Sequence, residues 1–104
     1  MDRKLQLEEM LKKSPNDSFL KHALALEYMK EGNNTKAKTL LIEVLEHDPG
    51  YTGSYYHLGK LLERAGETED AVRWYKRGLE ITNITGERRA YNELLSAYEE
   101  ISED

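Results

Sequence analysis

Three histidines, His22, His47 and His57, are the side chains of this chain best suited to moving a proton or binding a metal near neutral pH. None has a third ligand at metal-binding spacing, so they read as structural or surface histidines. The 20 acidic residues supply many neighbouring carboxylates. Acid–base catalysis needs a carboxyl shifted by burial, and no acidic pair here is flanked by an apolar cluster that would bury it. There is no cysteine, which excludes thiol nucleophiles and disulfides together. No phosphate-cradling glycine loop occurs, and Gly50, Gly53 and Gly59 fall at turn or packing positions. The sequons Asn33-Asn34-Thr35 and Asn83-Ile84-Thr85 sit where caps and turns are expected, and no secretory leader is expected. The expectation is no catalytic residue, no metal site, no cofactor and no enzyme.

The remaining chemistry is that of a surface. Of 104 residues, 34% are charged, and the net charge of −5 is unevenly placed. Residues 67–104 hold five basic and ten acidic side chains, and no basic residue follows Arg89. Glu93, Glu99, Glu100, Glu103 and Asp104 do follow it. Such a surface repels phosphate backbones and argues against a nucleic-acid partner. It reads either as a solvated helix end or as a docking face for a basic partner. Arg88 and Arg89 near a helix start, with glutamates near its end, oppose the helix dipole. No apolar run is long enough to span a bilayer, and Glu8-Glu9 interrupts the N-terminal segment. A cytoplasmic location is the default expectation from those missing signals.

The elements that must carry this surface are helices. Apolar residues recur at spacings of three and four throughout. The pattern predicts six helices at about 2–13, 18–31, 34–47, 52–65, 68–81 and 87–101, with no strand. Pro15 follows the first, Asp17 or Ser18 caps the second, and Asn33 caps the third. Gly32 and Gly66 lie just past helix ends, where a left-handed residue is needed.

The chain also repeats itself. Pro15 and Pro49, Gly32 and Gly66, Leu24 and Leu58, and Ala37 and Ala71 are each 34 residues apart. Leu11, Leu45 and Leu79 share that offset, as do Leu7, Leu41 and Tyr75. One stretch reads Tyr55-x2-Leu58-Gly59-x2-Leu62, then Ala71-x3-Tyr75. The one before it reads Lys21-x2-Leu24-Ala25-x2-Tyr28, then Ala37-x3-Leu41, then Pro49. With that period, the chain resembles the tetratricopeptide repeat family. The likeness is good over residues 18–83. Lys21 replaces the family's large aromatic, and Asn83 its closing proline. The resemblance implies an all-α, right-handed superhelical stack of antiparallel helix pairs within one domain, 1–104. Residues 2–13 form an N-terminal half repeat, 18–51 and 52–85 two repeats, and 87–101 a capping or partial-repeat helix. The segment Thr82-Asn83-Ile84-Thr85-Gly86 is expected to be a connecting loop holding an insertion.

In such domains the first helix of each pair lines a concave groove that holds an extended peptide or a partner helix. Carried over residue by residue, the groove positions are Phe19, His22, Leu26, Met29 and Lys30, then Tyr56, Lys60, Glu63 and Arg64. Helical geometry independently puts Phe19, His22, Leu26 and Met29 on one face, apart from the Leu24 and Tyr28 stripe. The alternative is that the N-terminal helix covers them as core. The family's chaperone-terminus clamp uses lysine, asparagine and arginine. The matching positions hold His22, Leu26, His57 and Glu93, with only Arg89 of the right character, so apolar or mixed peptides are the expected ligands. Tyr91, Leu94, Leu95 and Tyr98 read as a cap or as an oligomer face. Trp74 is expected to be half-buried against helix 87–101. The implied function is non-catalytic protein–protein interaction as an adaptor. A homodimer or larger self-associating scaffold is the alternative.

Overall fold

A computed structural model describes Asp2–Ser102; Met1, Glu103 and Asp104, the last two being the end of the acidic run, lie outside the described residues. Six helices follow one another: α1 (Arg3–Lys13), α2 (Ser18–Lys30), α3 (Asn34–His47), α4 (Gly53–Arg64), α5 (Thr68–Thr85) and α6 (Arg88–Ile101). No strand occurs among the described residues. The helices divide into two compact units, α1–α3 within Met1–Asp48 and α4–α6 within Pro49–Asp104.

Local chemistry sets most boundaries. Asp17 caps α2, its carboxylate accepting from Leu20 N at 3.0 Å. Asn33 does the same for α3, accepting from Lys36 N at 3.3 Å. Gly32 and Gly66 take φ of 78° and 79°, the left-handed turn that closes α2 and α4. Pro49 disfavours helical geometry at the residue before it, and α3 stops at His47 with Asp48 as its cap.

Of the expected loop Thr82–Gly86, the first four residues are instead the last turn of α5, and this corrects the sequence reading. One period after Pro49 stands Asn83, which has an amide hydrogen and no ring to block the preceding turn. The helix therefore runs on until Gly86, at φ 76°, ends it. Thr82 is buried by the extra turn, and its hydroxyl donates to Gly78 O at 2.8 Å.

In the first unit α2 packs on α1 and α3. Leu7, Leu24, Ala25, Tyr28, Ala37, Leu41, Val44 and Leu45 form its core. Tyr28 donates to Glu8 at 3.2 Å, and the ammonium groups of Lys4 and Lys36 each lie 5.3 Å from its ring centroid. Burial, then Glu8, raise the Tyr28 phenol pKa. Lys21, where the period calls for an aromatic, forms an ion pair with Glu43 at 3.3 Å.

In the second unit α5 packs on α4 and α6. Tyr55, Leu58, Leu62, Ala71, Tyr75 and Leu94 are fully buried. Tyr55 donates to Pro49 O at 2.6 Å. Two glycines permit the close approach of these helices. A Cβ at Gly59 would overlap the Tyr75 ring, and one at Gly78 would come within 2.8 Å of Tyr55 Cβ and 2.9 Å of Leu94 Cδ1. Trp74 is half-buried as expected, but its ring partner is Tyr55 of α4, with centroids 6.3 Å apart, and Arg77 lies 5.3 Å over it.

Gly59→Ala should therefore lose stability although alanine is the better helix former by about 1 kcal/mol. The expected cost is about 1–3 kcal/mol from overpacking against Tyr75. Thermal melting followed by circular dichroism checks it. An unchanged or higher Tm would mean that Tyr75 does not lie across Gly59.

Candidate binding surface

The residues singled out from the sequence fall on the solvent-facing sides of α2 and α4. On α2, Ala23, Leu24, Ala25 and Tyr28 turn inward. Phe19, at 59% exposure, is open to solvent, while His22, Leu26 and Met29 are half-buried. Lys30 is exposed and forms an ion pair with Glu27 at 3.2 Å. The first unit thus shows a mainly apolar strip with a charged end. Helix α1 leaves Phe19 uncovered, so the alternative of a fully buried strip does not describe that residue.

On α4, Tyr55, Leu58, Gly59 and Leu62 turn inward, and Tyr56, Lys60, Glu63 and Arg64 outward. The period aligns the two strips as His22 with Tyr56, Leu26 with Lys60, Met29 with Glu63 and Lys30 with Arg64. The second is far more polar. Lys60 Nζ lies 5.7 Å from the Tyr56 ring centroid, 3.6 Å from Glu63 and 3.9 Å from Glu100 of α6. The Tyr75 hydroxyl donates to Glu63. Burial and that carboxylate drive the phenol pKa far upward, so Tyr75 is a permanent donor.

Between α4 and α6 lies a cleft of about 250 Å³ lined by Tyr56, His57, Ala90, Glu93 and Leu94 together with Thr52 and Gly53 at the start of α4. The Tyr56 and His57 rings meet edge to face, with centroids 5.9 Å apart. His57 titrates below its ordinary value of 6.5, chiefly because it is partly desolvated and secondarily because of Arg64, while Glu93 opposes both. At the rim, Glu87 accepts from Thr52 at 2.8 Å and Thr85 at 2.6 Å. Those two hydrogen bonds lower its pKa and tie the start of α4 to the α5–α6 turn. Sequence reasoning placed Tyr56 and His57 on α4 but missed the cleft. The placement of Glu93 opposite His57 depends on the extra turn of α5.

Of the α6 residues singled out, Leu94 is in the core at 1% exposure, and Tyr91, Leu95 and Tyr98 are half-buried. Lys76 Nζ lies 6.0 Å from the Tyr98 ring centroid. No group of three or more metal-ligating side chains with the geometry to hold an ion occurs among the described residues. None of the helices is long and apolar enough to cross a membrane.

A family model described as tetratricopeptide repeat matches residues 3–81. The chain belongs to the tetratricopeptide repeat family. It is similar to a TPR repeat-containing protein of Pseudomonas aeruginosa, with 30% identity over 88 residues that make up 85% of this chain and 84% of that one. A tetratricopeptide repeat domain protein of Salinibacter ruber, known from its crystal structure, superposes with a TM-score of 0.78 at 41% identity, over 82% of this chain and 94% of that one. Human aspartyl/asparaginyl beta-hydroxylase shares 30% identity over 76 residues, 73% of this chain but 10% of the hydroxylase. That likeness covers only a small part of a much longer protein. Tetratricopeptide domains are protein-interaction modules, generally without catalytic activity.

The desolvation of His57 gives a signed pH effect. A base whose folded-state pKa lies below its unfolded value takes up its proton first in the unfolded chain. Its contribution to stability is complete above 6.5 and is lost as pH falls through the window below that value. The His57 ring resonances should titrate with a midpoint below 6.5, and Glu93→Gln should move that midpoint lower still. An unchanged midpoint in Glu93→Gln, read by NMR, would remove Glu93 from the neighbourhood of the imidazole.

Proposed function

We propose that the chain is a non-catalytic adaptor that binds a peptide or partner helix through outward helix faces, that of α2 in the first unit and that of α4 in the second. The observation that carries this reading is the exposure of large side chains where burial would be worth most, Phe19 at 59% and Tyr56 at 36%. Phe19 shares its face of α2 with half-buried Leu26 and Met29, and exposed aromatic anchors beside apolar side chains are the usual makings of a binding hot spot. On this reading residues 18–51 and 52–85 are the two repeats of a single domain, 1–104. Helix α1 stands as a half repeat and α6 as a cap or partial repeat. His22, Lys30, Lys60 and Arg64 supply the polar rim.

A second reading, a homodimer or larger scaffold, is favoured by other exposed apolar residues. Leu5 and Met10 on α1 are 55% and 52% exposed, and Ile84 on α5 is 78% exposed. Tyr91, Leu95 and Tyr98 of α6 would take part. Light scattering over a hundredfold concentration range separates the two. A constant mass near 12.1 kDa is expected for the adaptor, and a mass that doubles would favour the scaffold.

For an identified partner, Phe19→Ala and Tyr56→Ala should each weaken capture about tenfold or more, the scale of hot-spot truncations. Far-ultraviolet circular dichroism should stay unchanged, since neither ring is core. Undiminished affinity in both variants would sink the assignment of these faces.

A further inference from the structure

We propose that the cleft between α4 and α6 receives a lysine or arginine side chain from a basic peptide segment, with Glu93 as its counter-ion and the Tyr56 ring as its platform. This rests on the reading of that face as a peptide-binding surface and adds the chemistry of the ligand. The cleft, at about 250 Å³, is smaller than the roughly 300–1,000 Å³ typical of small-molecule pockets and suits a single long side chain. Its floor is apolar, made by Leu94 and Ala90, which favours an aliphatic stem.

Charge selects the head group. No cationic side chain lines the cleft, and Glu93 is the one carboxylate that does. Glu93 forms no ion pair among the described residues. Its electrostatic counterpart is His57, which desolvation and Arg64 hold toward the neutral form. Glu87 at the rim is kept ionised by its two threonine donors. An acidic side chain would meet both carboxylates. A purely apolar one would desolvate Glu93 with nothing in return. A cation is the occupant whose binding leaves no buried charge unpaired.

The same pair of helices already holds one cation in this way. Lys60 Nζ sits 5.7 Å from the Tyr56 ring centroid, with Glu63 and Glu100 at 3.6 and 3.9 Å. The cleft offers a similar set of groups, the same Tyr56 ring with Glu93, which lies about two turns before Glu100 on α6. Arginine suits it best, because a planar guanidinium can stack on a ring and still pair with a carboxylate.

The test uses the full chain labelled with nitrogen-15 and three blocked heptapeptides that differ only at the central residue, being arginine, norleucine or glutamate. The arginine peptide should shift the amide signals of Tyr56, His57, Ala90 and Glu93 and bind at least fivefold more tightly than the norleucine peptide. The glutamate peptide should bind most weakly. Glu93→Gln should abolish the preference for arginine, while Glu99→Gln, outside the cleft, should preserve it. Equal affinity of the arginine and norleucine peptides for these amides would overturn the cationic ligand and leave the binding face standing. No shift at these amides with any of the three would overturn the cleft as a binding surface, and the cationic ligand with it. Loss of the preference in Glu99→Gln as well would reduce it to general surface charge and overturn the role given to Glu93.

Discussion

The second unit depends on the passage of the Tyr75 side chain across Gly59. Helices pack at 8–10 Å only where the contact residues are small, and at Gly59 no Cβ stands between the α4 backbone and the ring of a fully buried tyrosine. The consequence extends beyond packing. The ring crosses the helix, and its hydroxyl reaches Glu63 on the α4 surface. Glu63 in turn forms an ion pair with Lys60, and Lys60 lies over Tyr56. A steric constraint in the core thereby sets the positions of charges on the face. A surface salt bridge between mobile side chains contributes little. One whose carboxylate is also held by a buried phenol has less rotamer entropy left to lose.

Much of the helical framework was legible from residue types. Proline, glycine and the caps Asp17 and Asn33 are local signals that act within one turn, so they mark boundaries without knowledge of the tertiary structure. The end of α5 was misread because a period was extended over a position where its physical cause had gone. Proline stops a helix, and Asn83 does not. Gly86 was the true signal, and it lies five residues beyond the expected end at 81. On the candidate face, the spacing of Phe19, His22, Leu26 and Met29 was enough to separate an outer strip from the core strip. His57 and Glu93 fall among the same clamp positions of the family, but the cleft that their approach forms was not legible. It depends on how the longer α5 and the short Gly86-Glu87 connection together set the register of α6, which no local pattern encodes.

The 34-residue period constrains the two units unequally at core and surface. Leu24 and Leu58, Ala37 and Ala71, and Leu45 and Leu79 repeat because each packing position accepts few shapes. The outward positions accept many, and there the units diverge, Leu26 against Lys60 and Met29 against Glu63. A repeat fold can present different chemistry on successive first helices because these positions do not decide whether it folds.

Three differences between the units are nevertheless coupled. Ala25 stands one period before Gly59, Leu41 before Tyr75, and Met29 before Glu63. Each change requires the next. A tyrosine at 75 needs the space that alanine at 59 would occupy. Once present, its hydroxyl needs a partner, since a buried donor left unpaired costs about 1–3 kcal/mol, and a carboxylate at 63 supplies one. In the first unit leucine has no hydroxyl to satisfy, alanine is tolerated opposite it, and methionine at 29 leaves the face apolar. The polar character of the second face thus follows from a glycine in the core. A surface substitution at Glu63 alone would leave the Tyr75 hydroxyl without its acceptor, so converting one face into the other requires changing all three positions together.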